Sequence, residues 1–279
     1  MYITIPVIGF IVGMLIGITG MGGGALVTPA LILFAGVPPL RAVGSDLVFA
    51  ALTKLVAARE HLSSGSVDVP VVRALATGSL PAALISTVVL QRYLDRPGTE
   101  QVVMQTLGGV LVVAALLIVA RGFRRVRLAG RIPRGGLVAG GAVVGALVGL
   151  TSVGSGTLVI ATLSFTTALP ARTLVGTDTV HALALTSVAA LAHLRLGTVD
   201  PVLTALLLAG SIPGVVLGAR LTPRVPDEVL RGVLAAVLLV AGLRLQVPVV
   251  PRRAPVEPEE SSLPGPTPSG SQLVAGAAS

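Results

Sequence analysis

The sequence predicts an all-α integral membrane protein: a polytopic helical bundle of two homologous halves, each opening on a glycine-broken segment, with about eight crossings in all. Three observations predict it. Hydrophobic residues make up 53% of the chain and charged residues only 11%, at a mean hydropathy of +0.93. A soluble domain carries about a quarter charged residues, so most of this surface does not face water. Apolar runs recur at residues 69–89, 102–119, 174–196, 202–221 and 229–243, and another runs onward from 137. A helical span needs about 20 mostly apolar residues. Finally, residues 13–87 recur at 145–219, without a gap, at a constant spacing of 132.

About a third of that window is identical. Gly13, Gly17 and Thr19 meet Gly145, Gly149 and Thr151; Gly22 and Gly24 meet Gly154 and Gly156. Pro38 meets Pro170, and Gly44-Ser45-Asp46 meets Gly176-Thr177-Asp178. His61, Gly65 and Asp68 meet His193, Gly197 and Asp200. Gly78-Ser79-Leu80-Pro81 meets Gly210-Ser211-Ile212-Pro213, and residues 103–117 then match 229–243 after a short length difference. A duplicated apolar chain with interruptions at matching places points to a secondary transporter. The first half is residues 1–122 and the second 136–247, joined by an arginine-rich linker at 123–135.

The elements follow in order. An apolar segment from residue 5 breaks at residues 20–24 and resumes to 35. Unbroken, it would be about 46 Å of helix against a core of roughly 30 Å, so it can cross or dip in and return. A crossing segment gives parallel halves, which the arginine distribution favours; a returning one gives inverted halves. Helices follow at 38–62, 68–93 and 99–119. The second half repeats this with a break at 152–156 and helices at 170–195, 200–221 and 227–245. Asp200-Pro201 sets a capping carboxylate before a proline at the first helical position, and Asp68 with Pro70 is a looser version. Pro81 and Pro213 fall mid-helix at equivalent places, where kinks are expected. The tail at 248–279, rich in Pro, Gly, Ser and Glu, cannot bury enough apolar surface to order itself.

Composition excludes several functions. The runs are continuous rather than alternating, unlike barrel strands. Residues 3–18 lack a basic leader and have an internal counterpart, so they read as structure rather than a signal peptide. Without cysteine there is no thiolate metal site, disulfide or thiol redox chemistry. The net charge of +8 is almost wholly arginine, crowded in and just before the linker at 121, 124, 125, 127, 131 and 134. That is a cytoplasmic loop by the positive-inside rule, not a nucleic-acid surface. No nucleophile–base pair, metal motif or nucleotide loop is present, so neither an enzyme nor a cofactor is expected.

Two constellations can carry transport chemistry. Backbone leaves a helix inside lipid only where protein or water satisfies it, so the two breaks should line a cavity. A helix restarting after each break aims N–H groups and a positive dipole end at an anion. Candidate substrate ligands are Thr19, Gly22, Gly23 and Gly24, with Thr151, Ser152, Gly154, Ser155, Gly156 and Thr157. Close packing through small residues is the alternative, and it is the reading for Gly9, Gly13 and Gly17. The second constellation is Asp46 and Asp178, each after Gly and a hydroxyl residue in an apolar stretch. They are either buried, proton-carrying carboxylates or caps of helices beginning near them. His181, three residues after Asp178, can exchange a proton with it; its counterpart is Phe49. Lys54, the only lysine, is placed to neutralise Asp46 and faces Thr186 in the repeat. His61 and His193 read as helix-end caps, and Arg41 and Arg172 as anchoring loop arginines.

At residues 17–24, 38–46 and 61–68 and their partners, the chain resembles the TauE/SafE sulfite exporter family, over roughly residues 6–246. The resemblance implies a multi-pass carrier of the plasma (inner) membrane. It implies a small oxyanion as partner, sulfite or an organosulfonate, moved by alternating access, with a passive anion channel as the alternative. The second break departs from the first by Ser152, Val153 and Ser155 at the positions of Gly20, Met21 and Gly23.

Overall fold

The computed structural model describes residues 4–19, 24–93, 96–123, 133–156, 158–160, 163, 169–221 and 226–247. Most of the linker and the tail from residue 248 lie outside them. The described chain is helical: α1 Thr4–Thr19, α2 Gly24–Ala35, α3 Pro39–Ser63, α4 Val69–Gln91, α5 Thr99–Phe123, α6 Arg134–Thr151, α7 Ala171–Arg195, α8 Pro201–Leu221 and α9 Asp227–Gln246. The boundaries fall where the punctuation sets them. Asp68 Oδ1 accepts from Val71 N at 3.1 Å and Asp200 Oδ1 from Leu203 N at 3.0 Å, so both carboxylates cap their helices. Pro81 and Pro213 sit inside continuous helices.

Five of these helices (α4, most of α5, α6, α7 and α8) are long and apolar enough to cross a membrane. The outer surface is apolar as well as the core, unlike that of a water-soluble protein. Phe34, Val56, Ile85, Leu116 and Ile212 point outward, while Ser45, Asp46, Thr177, Asp178, His181 and His193 are buried. An exposed apolar shell suits hydrocarbon solvent, and buried polar groups then sit where protein can satisfy them.

The core divides into two clusters. One joins α1, α2 and α5 to α8 and α9 through Leu31, Leu107, Leu111, Leu207 and Leu238. The other joins α3 and α4 to α6 and α7 through Leu47, Leu75, Val148 and Leu185. Neither belongs to one half of the sequence, so the halves interleave.

Contacts between elements come in pairs separated by the same 132 residues. A Cβ at Gly9 would meet Leu207 O at 2.8 Å, and one at Gly13 would meet Ser211 Cα at 2.7 Å. The partners of Gly141 and Gly145 are Leu75 and Ser79. Glycine is required here because backbone lies against backbone. The rising order on both helices shows that α1 runs parallel to α8, and α6 parallel to α4. By contrast, Gly44 near the start of α3 abuts Thr198 after α7, and Gly176 near the start of α7 abuts Ser66 after α3. The equivalent helices α3 and α7 therefore run antiparallel. So do α5 and α9, where Gly242 meets Gly108 and Val112 while Gln246 Nε2 donates to Gln105 O at 2.9 Å.

Candidate functional site

The site forms where α3 crosses α7. Pro38 precedes α3 and Pro170 precedes α7, each at the helix N-cap. Both helices thus begin about two turns before their aspartates. Asp46 and Asp178 lie inside helices, and the alternative reading of them as caps is corrected. The residues before them do the anchoring instead. Ser45 Oγ accepts from Asp200 N at 3.0 Å, and Thr177 Oγ1 accepts from Asp68 N at 2.9 Å. Each half thereby holds the turn that starts a helix in the other.

Asp46 is fully buried. Its Oδ2 accepts from Thr28 Oγ1 and from Ser152 Oγ, both at 2.5 Å, and the two hydroxyls lie 2.8 Å apart. Such short O–H···O contacts are the charge-assisted kind. Three segments meet there: α2, α3 and the second break. Gly24, the first residue of α2, lies against the same point, since its Cβ would sit 2.7 Å from Ser152 O and 3.9 Å from Asp46 Oδ2. The start of the restarted helix therefore faces a resident carboxylate.

The second break has a defined shape. Ser152 caps α6 with φ 61°, the one non-glycine residue at positive φ among those described, and its N–H donates to Val148 O at 2.8 Å. A serine there is strained relative to glycine, which stands at the equivalent position 20. Gly154 follows at φ 122°, and helical bonding resumes with Leu158 N to Gly154 O and Ile160 N to Gly156 O. Ser155 is buried there and Gly156 is partly exposed. Thr151 Oγ1 is engaged by its own helix, donating to Leu147 O at 2.7 Å. Gly22, Gly23 and Thr157 lie outside the described residues, as does the side chain of Thr19.

On α7, Asp178 and His181 are buried, and Ser79 Oγ of α4 lies 2.8 Å from His181 Nε2. Among the described residues, three buried side-chain polar atoms have no hydrogen-bond partner: Asp46 Oδ1, Asp178 Oδ1 and His181 Nδ1. Orphaned polar atoms in a core are costly and mark places where water, a proton or a ligand enters. Lys54, 8% exposed, lies within electrostatic reach of both Asp178 and Asp46.

The remaining candidates separate from this cluster. His61 Nδ1 pairs with Ser66 Oγ at 2.9 Å, and His193 pairs with Thr198 Oγ1 and Gly149 O, both at 2.8 Å. Both histidines tie turns. Arg41 and Arg172 are exposed at helix starts. An apolar groove of about 630 Å³ between α1, α2 and α9, lined by Ile8, Val12, Leu26, Ala30 and Leu238, offers an anion no donor.

Sequence reasoning missed Thr28, Ser79 as the partner of His181, and the reach of Lys54 toward Asp178. The repeat gives no signal for Thr28, whose counterpart is Ile160.

Residues 5–245 match the family described as Sulfite exporter TauE/SafE. The Bacillus subtilis protein named Probable membrane transporter protein YjnA is 37% identical over 254 residues, covering 88% of this chain and all of the relative. A second Bacillus subtilis protein, Probable membrane transporter protein YdhB, is 27% identical over 85% of this chain and 96% of its own length. An Arabidopsis thaliana protein named Sulfite exporter TauE/SafE family protein 5 is 29% identical over 119 residues, 42% of this chain and 26% of its own. No solved structure matches the chain significantly.

Proposed function

The chain belongs to the TauE/SafE sulfite exporter family, and from that membership we propose that it is a secondary transporter exporting a small oxyanion, sulfite or an organosulfonate, across the plasma membrane. The two sequence halves are the moving parts. Equivalent helices run antiparallel, which supports inverted halves that rock about a site near the midplane, the arrangement of many carriers.

The observation that carries this reading is the Asp46–Ser152–Thr28 contact. It links the second glycine break to the first half through a buried carboxylate. The breaks, with Thr19, Gly22–Gly24 and residues 151–157, supply N–H groups and hydroxyls to the anion. In the described state Asp46 holds the Ser152 hydroxyl, so an anion entering beside it meets a like charge. Protonation of Asp46 removes that repulsion and frees the hydroxyl. Anion binding and protonation are therefore linked, with Asp46 and Asp178 as proton carriers and His181 as their relay. Membrane potential alone, at about 2.3 kcal/mol per charge per 100 mV, is the competing driving force.

Sulfite counterflow in proteoliposomes, compared with chloride and a simple sulfonate, tests the proposal. Saturable exchange of sulfite is the expected result. Conductance without counterflow would make the protein a channel. Asp46→Asn should cut flux at least tenfold and flatten its pH dependence; unchanged flux with unchanged pH dependence removes the coupling role.

A further inference from the structure

The breaks supply neutral donors, but the structure also buries a full positive charge that this scheme does not use. Lys54 is the only lysine of the chain and lies near the middle of α3. It sits between Gly44 and Ser66, the points where the two ends of α3 meet α7, so it is about midway along the crossing. A buried ammonium is expensive and is retained where it has a partner or a task. Its repeat counterpart is Thr186, whose hydroxyl donates to Ala182 O at 2.8 Å, so the fold does not need a cation at this position to close the α3–α7 crossing.

Lys54 has more counter-ion than it needs. Asp178 and Asp46 both act on it, and together they outnumber it. α2 carries no charged residue, and the charged positions of α5 and α8 (100, 121 and 220) fall in the end turns of those helices. On α7 the only other buried titratable groups are His181, which Lys54 also influences, and His193, tied to Gly149 and Thr198. One ammonium and two carboxylates form a neutral core only when the pair of carboxylates holds one proton.

We propose that Lys54 is the primary anion-binding residue, and that the substrate oxyanion displaces Asp178 as its counter-ion. The displaced carboxylate then takes up one proton from solution, so its O–H bond forms as the new ion pair forms and the core stays neutral. Asp178 rather than Asp46 is displaced because, among the described residues, no hydrogen bond holds its carboxylate, whereas Asp46 Oδ2 accepts from two hydroxyls. His181 adds a donor. Its Nε2 lies 2.8 Å from Ser79 Oγ and its Nδ1 has no partner, so in the tautomer that accepts from Ser79 the Nδ1 hydrogen is free to be given to an anion. The ligand is a monoanionic oxyanion, and each one bound brings one proton.

This inference rests on the anion-carrier reading above, and binding separates the two. The purified protein in detergent is titrated with sulfite, and with methanesulfonate, which does not titrate near neutral pH, at several pH values. One-proton linkage makes methanesulfonate affinity fall about tenfold per pH unit. Lys54→Met should weaken binding of both anions at least 100-fold, and Lys54→Arg should stay within tenfold of the native protein. If Lys54→Met does not yield folded protein, the Arg variant and the pH slope still decide. Binding of neither anion, a flat pH profile, or Lys54→Met within threefold of the native protein overturns the assignment. Binding that behaves as expected, with no counterflow in liposomes, defeats the carrier reading and leaves Lys54 as the anion site. Counterflow that persists in Lys54→Met does the reverse.

Discussion

Ser152 carries two separable burdens, a left-handed backbone and a hydroxyl aimed at Asp46. Substitution divides them. Ser152→Gly loses the hydroxyl and relieves the backbone, whereas Ser152→Ala loses the hydroxyl and keeps a Cβ at positive φ. Intramembrane hydrogen bonds average about 0.6 kcal/mol, and bonds to a charged group about 1.5–3 kcal/mol. The higher range applies here, because Asp46 Oδ1 is unpartnered and Oδ2 carries the carboxylate's hydrogen bonds. Thermal melts in detergent should therefore rank the native protein above Ser152→Gly and Ser152→Ala lowest, by about 1 kcal/mol between the two variants. Equal melting of the two variants would show that the backbone conformation is unstrained. The aspartates and the break were legible because duplication marks them twice. Thr28 was not, because the contact it makes has no copy in the second half, where Ile160 stands. Single-copy polar residues in apolar helices are invisible to a repeat, and only the folded packing shows which carboxylate they reach.

At the scale of elements, two glycine-lined seams hold the bundle together, α1 on α8 and α4 on α6. Without a hydrophobic driving force between helices in lipid, close backbone approach and the dispersion it allows do the work. Two glycines of α6 give an internal control. A Cβ at Gly145 would run into the backbone of Ser79, which no rotamer change can move, while nothing lies within 4 Å of one at Gly140. Gly145→Val should lower stability by at least the 1–3 kcal/mol typical of overpacking, and Gly140→Val should leave it unchanged or raise it slightly. Melting temperature and yield of monodisperse protein report this directly, and a tolerated Gly145→Val would mean that the seam is looser than drawn. Helix limits were readable from Asp, Pro and Gly because those residues act locally. Partner choice was not. A repeat says that α1 and α6 are equivalent, but whether α1 packs within its own half or on α8 depends on how the halves interleave, which no local residue encodes.

For the whole molecule the open question in the sequence was the sense of the two halves, since the broken segment is long enough either to cross or to return. Arginine density favoured parallel halves, with the linker and the end of the second half on one side. Helix direction argues the other way. α5 ends at the linker, and α9 runs antiparallel to α5, with Gln246 at its C-terminal end bonded to Gln105 near the start of α5. The last turns of α5 and α9 therefore lie at opposite ends of the bundle. If α5 crosses the membrane, the linker and residue 247 face opposite compartments. The positive-inside rule then assigns the arginine-rich linker side to the cytoplasm, because its six arginines lie within a short loop and the ends of its flanking helices. The absence of native cysteine makes this measurable with single substitutions. Pro133→Cys, just before α6, should react with a membrane-impermeant maleimide only after the cells are opened. Val247→Cys, exposed at the end of α9, should react in intact cells. Labelling of both positions from the same side would restore parallel halves and remove the inverted geometry on which a two-sided rocking carrier depends. Opposite labelling would place Lys54 and the two aspartates at the pivot between two inverted halves, where a single buried charge cluster can open to either side in turn.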